Sequence, residues 1–368
     1  MAQDICAGLV ARGHEVRVLT CAIKGHAGQE TIEGIQVYRL PTGRKQAFKA
    51  GLWDMLQYDL AAVVHGLRLI RRWKPDVMHI HFAVPAGLAG RLLSLLTGIP
   101  YVLTTHLGDV PGGVPDKTDG WFRWIDPFTP GIWRKARQVV AVSQFTRRLA
   151  ESRYGITIRV IPNGVDTAAY DPGKIQVHTP PRILFIGRVV QQKNPLQLVR
   201  ALAGVRDLPW ECVVVGDGPL MDDLRAEIAA RGLENRFQLP GWLSQPEVDA
   251  WLKKSDLLFM PSFVEGMPMA GLLALSMGLA MVVSSAGGFT DLVAGEDEQA
   301  NGYICPALDT ASFSTALRAL IADPNRLLSY RQVSRARSAA FDLGTVLTQY
   351  EEVLRHAVEQ REAPHDIR

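Results

Sequence analysis

Short apolar, β-branched runs alternate with helical patterns along almost the whole chain, and this alternation constrains the fold most. In the first half the predicted strands lie in GHEVRVLT, DVMHIHF, IPYVLTTH, QVVAVS and IRVIPNG; in the second half they lie in RILFIGR, WECVVVGDG, RFQLPGW, DLLFMPS and AMVVSS. Helical patterns separate them, for example at 88–96, 195–202, 220–231 and 245–254. Continuous apolar strands alternating with helices predict parallel sheets covered on both faces. Two such series predict an α/β fold of two Rossmann-like domains that face a cleft.

The boundary between the two series is the segment 171–181, DPGKIQVHTPP, which has three prolines and almost no periodicity. It predicts a linker between a first domain at 1–170 and a second at 182–341. A helical pattern follows at 342–360, which can pack back on the first domain, and a polar tail at 361–368 ends the chain. The length of 368 residues also favours two cores over one.

The charge of the chain argues against a nucleic-acid partner, because the formal net charge is only +3. Its distribution is uneven: residues 1–160 hold 21 Lys and Arg against 12 Asp and Glu. A basic first half favours an anionic partner, either phosphates or an acidic membrane surface. The four cysteines form no CxxC pair, which favours a reducing cytoplasm over disulfides or a zinc site.

The beginning of the chain is unusual for a Rossmann-like domain. A helical pattern at 2–12 comes directly before the strand around 16–20, whereas such a domain starts with a central strand and a glycine-rich turn. A parallel sheet that lacks its central strand leaves N–H and C=O groups unpaired on both sides of a gap. We therefore expect an apolar strand and a Gly-rich turn to be encoded in frame upstream. Without them we expect an unstable or self-associating first domain, and proteolysis that leaves a fragment starting near Pro180.

Two cations follow the first strand of the second half, in RILFIGRVVQQKNP. Gly187 allows a tight turn, Arg188 and Lys193 come next, and Pro195 suits the first turn of a helix. The carboxyl edge of a parallel sheet is where anionic ligands bind, so the two cations can hold a diphosphate. They can equally be solvated loop residues, and the segment alone leaves both readings open.

A second candidate segment is PSFVEGMPMAGLLALSMG. Glu265 lies between a strand and a helix that begins near Pro268, and the N–H groups of Gly266 and Met267 precede that helix. Such a segment can hold sugar hydroxyls and an anion. Glu265 can also serve only as a helix cap.

These residues carry a resemblance to a known family. IGRVVQQKN resembles the G-R-x-x-x-x-K signature of family 4 glycosyltransferases of the GT-B fold, and EGMP resembles the start of their E-x7-E motif. VSQFTRR, IPNGVD, VVGDGPL and SSAGGFTDLV also match, in the family's order, from about residue 13 to 340. The resemblance implies transfer of a sugar from a nucleoside diphosphate donor to a hydroxyl acceptor, which can be lipid-linked, with retention of configuration and without metal or other cofactor.

The resemblance also implies roles for individual residues. Arg188 and Lys193 would hold the donor diphosphate, Glu265 would contact the donor sugar, and His106 would lie near the anomeric centre. The family's second Glu, which binds the ribose, corresponds to Leu273, and leucine cannot accept those hydrogen bonds. The missing glycine turn is the second departure. A catalytically impaired binding subunit and a nucleotide-sugar epimerase therefore remain as alternatives.

Other patterns admit weaker interpretations. His79 and His81 alternate on one strand and could bind metal, but no third ligand is evident and packing is favoured. Trp121, Trp124 and Trp133 lie among basic residues, where packing is again favoured over acceptor or membrane contact. Seven basic residues flank the apolar helical stretch 52–70: Arg44, Lys45, Lys49, Arg68, Arg71, Arg72 and Lys74. Such a helix suits either an anionic lipid surface or a solvated face on a packed helix, so peripheral membrane contact stays an open alternative.

Overall fold

The computed structural model describes residues 1–22, 26–43, 51–114, 125–293 and 299–362. The chain divides into two compact units, one of 1–162 with 343–368 and one of 163–342. Both are α/β with parallel sheets, as the alternating pattern predicts. The C-terminal helix belongs to the first unit, where it packs on the first helix of the chain.

The predicted linker 171–181 lies inside the second unit, and the division falls between Pro162 and Asn163 instead. Side chains of the second unit hold this segment. Asp256 accepts hydrogen bonds from the backbone N–H and the Nδ1 of His178, at 3.1 and 3.0 Å, and Arg331 donates to the carbonyl of Gln176 at 2.6 Å. Buried Arg331 also pairs with buried Asp256. The proline-rich segment 171–181 is therefore irregular in structure but is anchored to the second unit.

In the first unit the described strands form two separate sheets, with orders β1-β3-β2 and β4-β5-β6-β7. Their bounds are β1 Arg17–Cys21, β2 Gly28–Ile32, β3 Ile35–Leu40, β4 Met78–His81, β5 Tyr101–Thr105, β6 Gln138–Ala141 and β7 Arg159–Val160. The helices are α1 Ala2–Ala11, α2 Leu52–Trp73, α3 Ala86–Thr97, α4 Pro130–Lys135 and α5 Gln144–Tyr154, with α13 Leu343–Glu362 from the end of the chain. All pairings are parallel except the hairpin β2–β3.

That hairpin is an element the sequence analysis missed. Its turn places Glu33 and Gly34 at positive φ, 50° and 80°, which is the geometry of a tight hairpin turn. The signal was present, because ETIEGIQVY alternates around a glycine.

The second unit has a six-stranded parallel sheet, in the order β10-β9-β8-β11-β12-β13. Its strands are β8 Arg182–Ile186, β9 Glu211–Val215, β10 Phe237–Gly241, β11 Leu257–Met260, β12 Ala280–Ser284 and β13 Gly302–Cys305. Its helices are α6 Pro195–Ala203, α7 Met221–Ala230, α8 Gln245–Lys253, α9 Met269–Ser276, α10 Phe289–Leu292, α11 Thr310–Ile321 and α12 Pro324–Ser338. The central strands are buried along nearly their whole length, which is why they lack polar alternation.

The uncharged run 267–283 forms a loop, the buried helix α9 and the start of strand β12. Within the described ranges, none of the helices combines the length and hydrophobicity that crossing a bilayer requires.

Candidate functional site

Four loops lie side by side at the carboxyl edge of the second unit's sheet. They follow β8, β9, β11 and β12, which are neighbours in the order β9-β8-β11-β12. The loops span 187–194, 216–220, 261–268 and 285–288. In parallel α/β sheets this edge is where ligands bind, and here it holds every second-unit residue of the predicted site except Leu273.

Glycines let the first two loops pack backbone against backbone. Gly187 has φ of +148°, a value side chains disfavour. A Cβ on Gly216 would lie 2.0 Å from the carbonyl oxygen of Gly187, and one on Gly218 would lie 2.4 Å from that of Val189. The turn that carries Arg188 is therefore fixed by its neighbour, and only glycine fits at these approaches.

A second glycine pair fixes the loop of Glu265. A Cβ on Gly287 or Gly288 would lie 1.8 Å from the carbonyl oxygen of Glu265 or Gly266, respectively. The N–H of Gly288 donates to the carbonyl of Glu265 at 2.9 Å. In the sequence this GG pair is visible only as part of the matching segment SSAGGFTDLV. Its position directly after a buried strand was the signal for a close backbone approach.

Arg188 and Lys193, expected to act together on a diphosphate, are in different environments. Arg188 is exposed, and its guanidinium makes no hydrogen bond or ion pair within the part of the chain that the structure describes. The ammonium of Lys193 bonds to the carboxylate of Glu265, and their side chains are only 17% and 8% exposed. The structure thus joins the predicted phosphate ligand and the predicted sugar ligand in one largely buried ion pair.

The backbone after Glu265 leads into helix α9, which starts at Met269 with Pro268 as its N-cap. Its first N–H groups lack intrahelical partners because of their position, as expected at a helix start. The side-chain amide of Asn163 donates to the carbonyl of Met267 at 3.1 Å, which holds the loop from its other side. Leu273 lies half-buried in the second turn of α9.

His106 lies in the first unit, directly after strand β5. The carboxylate of buried Asp109 accepts a hydrogen bond from the backbone N–H of His106 at 2.8 Å. The imidazole stacks on Phe82 with ring centroids 4.4 Å apart, and its buried Nε2 has no hydrogen-bond partner among the described residues. Burial lowers the pKa of His106 to about 4. It is therefore neutral at pH 7 and able to donate or accept one hydrogen bond at each nitrogen.

Strand β4 carries His79 and His81, which lie beside His106. The Nε2 of His79 is 2.8 Å from the hydroxyl of Thr104, and burial lowers the pKa of His79 to about 4. The His81 and His106 rings are 5.9 Å apart. No group of three His, Cys, Asp or Glu side chains among the described residues is arranged to hold a metal ion.

The aromatic-basic stretch is described only in part. Trp121 and Trp124 lie outside the described residues. Trp133 is buried and stacks on Tyr154 with ring centroids 4.3 Å apart, so it packs in the core. Arg44, Lys45 and Lys49 also lie outside the described residues.

Comparison with known proteins assigns both halves of the chain. A model described as Glycosyltransferase Family 4 matches residues 1–169, and one described as Glycosyl transferases group 1 matches residues 170–337. The chain is 27% identical to a 2-deoxystreptamine glucosyltransferase of Streptomyces kanamyceticus over 353 residues, covering 87% of this chain and 89% of that protein. It is 29% identical to an Escherichia coli UDP-Gal:alpha-D-GlcNAc-diphosphoundecaprenol alpha-1,3-galactosyltransferase, covering 70% of each.

Solved structures share the fold. Sucrose-phosphate synthase of Thermosynechococcus elongatus superposes with a TM-score of 0.81 at 17% identity, covering 98% of this chain and 93% of that one. The Anabaena protein HepE, solved in complex with UDP, gives a TM-score of 0.71 at 20% identity, covering 87% and 86%.

Proposed function

Because the chain belongs to the GT-B glycosyltransferases of the family 4 type, we propose that it transfers a sugar with retention of configuration from a nucleoside diphosphate donor to a hydroxyl acceptor. One observation carries the proposal. The exposed guanidinium of Arg188, the Lys193–Glu265 pair and the start of helix α9 lie on neighbouring loops at one sheet edge.

The diphosphate is the leaving group, so negative charge grows on it as the sugar departs. Arg188 offers a planar fork that no side chain in the described ranges engages, which suits two phosphate oxygens. The first N–H groups of helix α9 add fixed donors. Together they stabilise the developing charge without having to reorganise. Such preorganised donors make the largest electrostatic contribution to lowering an activation barrier.

Lys193 links the phosphate and sugar positions. An ammonium has three N–H donors, and Lys193 uses one on Glu265, so it can bind a phosphate oxygen at the same time. Glu265 keeps acceptor positions for sugar hydroxyls. The buried pair therefore orients its carboxylate before the donor arrives.

His106 is the candidate for contact with the sugar in the first unit. Its neutral ring, held by Phe82 and by the hydrogen bond of its backbone to Asp109, suits a hydroxyl group or a developing positive sugar ring better than an imidazolium would. We assign it a role in orienting the sugar, and Asp109 acts through it.

Titration of UDP-, GDP- and ADP-sugars, followed by melting temperature and by turnover, tests the function. A bound donor at a hundred times its Kd stabilises by about 2.7 kcal/mol, which a thermal scan resolves. Transfer to a hydroxyl acceptor supports the proposal. Binding without turnover identifies the impaired subunit, a changed donor sugar without acceptor identifies the epimerase, and no binding at all contradicts all three.

Glu265→Gln separates catalysis from support of the fold. We expect nucleotide affinity to stay within a few-fold and turnover to fall at least tenfold, because the amide keeps the shape but loses the charge. Normal turnover with a large loss in melting temperature would show that Glu265 only supports the loop.

We also propose that the acceptor is lipid-linked and that the first unit contacts an anionic membrane. The packed helices α2 and α3 expose a stripe of large apolar side chains: Leu52, Trp53, Leu56, Leu60 and Val64, with Leu88, Leu92, Leu95 and Leu96. Trp53 and Leu60 are 70% exposed and Leu95 is 77% exposed. On α2 the exposed stripe continues into Arg68, Arg71 and Arg72, which suits anionic headgroups.

Vesicle sedimentation tests the membrane contact. The protein should sediment with phosphatidylglycerol vesicles and not with phosphatidylcholine vesicles, and Trp53→Glu with Leu60→Glu should abolish this. Trp242→Glu is the matched control, because Trp242 is exposed in the second unit. Equal sedimentation of all three proteins would exclude this surface.

A further inference from the structure

The chain leaves strand β4 through Phe82, whose backbone is in the left-handed region. Its φ is 73°, and within the described ranges three other non-glycine residues have positive φ. These are Glu33 in the hairpin turn, Lys74 at the end of α2 and Asn194 at the start of α6, and all three are polar. A bulky aromatic residue is disfavoured in this region, so the conformation of Phe82 requires a cause.

Hydrogen bonds on both sides hold Phe82 in this conformation. Its N–H donates to the carbonyl of Thr104 on β5 at 3.1 Å. The N–H groups of the next two residues donate to the carboxylate of buried Asp109. The same carboxylate accepts from the N–H of His106 at 2.8 Å, so it ties the loop of Phe82 to the loop of His106. Backbone strain that the surrounding structure holds in this way is typical of ligand-binding sites.

The strained backbone presents the phenyl ring of Phe82 at the carboxyl edge of the sheet. One face of the ring stacks on the imidazole of His106, with ring centroids 4.4 Å apart and an interplanar angle of 28°. Phe82 is nevertheless 47% exposed, so the ring's other face is open as far as the described residues show. The fold thus maintains an open aromatic face directly against the candidate sugar-contacting histidine.

The surroundings of the ring favour an uncharged ligand. The loops 82–85 and 106–110 contain two ionisable side chains, His106 and Asp109. Asp109 is buried, and burial lowers the pKa of His106 to about 4, so its imidazole is neutral at pH 7. A phosphate or a carboxylate therefore meets no cation in these two loops. C–H groups carry a small positive charge that suits the negative face of an aromatic ring, and one face of a pyranose presents several of them.

We propose that Phe82 is the platform on which the sugar ring of the acceptor stacks, so that the acceptor is a glycoside. The inference rests on the function proposed above, in which the second unit binds the donor and His106 contacts the donor sugar. Phe82 contacts His106 directly. A sugar on the open face of Phe82 therefore lies next to the donor sugar, where its hydroxyl group is needed.

The position of Phe82 also fits a lipid-linked acceptor. Helix α3 starts at Ala86, four residues after Phe82, and its first turn carries Leu88, which belongs to the exposed apolar stripe. A glycolipid that lies along the stripe brings its sugar end toward Phe82. A simple alcohol or lipid uses the stripe without the platform, and the probes below separate these cases.

Octyl glycosides below their micellar concentration test the platform on the whole protein. The probes are octyl β-D-glucopyranoside, octyl β-D-galactopyranoside and octyl N-acetyl-β-D-glucosaminide. Tetraethylene glycol monooctyl ether is the matched control, because it has the same tail and no sugar ring. At least one glycoside should bind at least tenfold more tightly than the ether, with saturation-transfer NMR showing the strongest transfer at its ring C–H protons. Equal affinity of the ether and the glycosides, or no binding of any glycoside, would overturn the inference.

Three variants separate recognition of the sugar from support of the fold. Phe82→Tyr keeps the ring and should bind the glycoside within threefold of the wild type. Phe82→Asn removes the ring but tolerates the left-handed backbone, so glycoside affinity should fall at least tenfold while the melting temperature stays equal or rises. Phe128→Asn is the matched control and should change neither quantity, because Phe128 is another exposed phenylalanine of the first unit. Unchanged glycoside affinity in Phe82→Asn would show that Phe82 only packs.

Nucleotide binding in the same samples keeps this test apart from the test of the function. Calorimetry with UDP, or with the nucleotide that the donor screen identifies, should give the same affinity for the wild type and Phe82→Asn. No nucleotide binding by the wild type would contradict the proposed function, whereas nucleotide binding without glycoside binding would overturn only this inference.

Turnover then distinguishes an acceptor platform from a donor platform. With the donor identified, Phe82→Asn should raise the KM of the glycoside acceptor at least tenfold and leave the hydrolysis of the donor without acceptor unchanged. Slower hydrolysis with an unchanged acceptor KM would assign the ring to the donor sugar and overturn the inference.

Discussion

At the scale of single residues, the two cations of the donor site differ in what holds them. The guanidinium of Arg188 has no partner among the described residues, whereas Lys193 neutralises Glu265 in a largely buried pair. Their spacing in sequence predicts that both can reach a phosphate. It could not show that a loop 72 residues away supplies a carboxylate to one of them.

This difference gives a testable contrast. Arg188→Ala should weaken nucleoside diphosphate binding by about 1.5–3 kcal/mol, the scale of a charge-assisted hydrogen bond, and leave the melting temperature unchanged. Lys193→Ala should weaken binding by a similar amount and also lower the melting temperature, because it leaves the Glu265 carboxylate buried without its partner.

Calorimetry with UDP, or with the nucleotide that the donor screen identifies, measures the two affinities. Scanning calorimetry of the free proteins measures the stability difference. Unchanged affinity in both variants would remove the phosphate assignment, and equal melting temperatures would show that the Lys193–Glu265 pair contributes nothing net.

The buried histidines of the first unit predict that the stability of the folded protein depends on pH. Burial lowers the pKa of His79 to about 4, below its ordinary value, so between pH 6.5 and 4 the unfolded chain binds the proton more tightly. The stability that His79 contributes is present above pH 6.5 and is lost as the pH falls, by about 1–2 kcal/mol at pH 5.

Two buried carboxyl groups change the stability in the opposite direction to His79 as the pH falls. The contribution of His79 can therefore be isolated only by comparing the wild type with a His79 variant. Burial raises the pKa of Asp59 and of Asp109 to about 7, and each favours the folded state as the pH falls below that value. Urea midpoints at pH 7.5 and pH 5 should therefore be compared between the wild type and His79→Gln. The loss on acidification should be smaller in the variant, and an identical loss would show that His79 is not the group that titrates.

At the scale of elements, the helix after Glu265 is where we expect the nucleotide to be bound. Helix α9 starts at Met269, which places Leu273 in its second turn, half-buried. The start of this helix and its uncharged composition were readable from the sequence. Whether position 273 reaches a ribose depends on how the helix packs.

Leu273→Glu tests this position. A carboxylate there should accept hydrogen bonds from ribose hydroxyls and tighten nucleotide binding by about 1–3 kcal/mol. Leu273→Met is the control for side-chain volume and should change nothing. No gain in affinity, or loss of folding, would show that Leu273 belongs to the core.

At the scale of the whole molecule, the division into units predicts where a protease cuts. The second unit starts at Asn163, and its segment 171–181 is held by Asp256 and Arg331. Limited proteolysis should therefore leave a fragment that begins near Asn163, and not near Pro180 as the proline content suggested. Terminal sequencing of the stable fragment decides between them. A start near Pro180 would show that the anchoring contacts are weak.

The sequence by itself determined the fold class, the two series of strands, most element bounds and the loops that carry the candidate donor site. Periodicity and turn residues act locally, so they are legible in the chain. Only the tertiary structure decided the Lys193–Glu265 pair, the anchoring of 171–181 in the second unit and the glycines that admit neighbouring backbones. These depend on which distant segments meet.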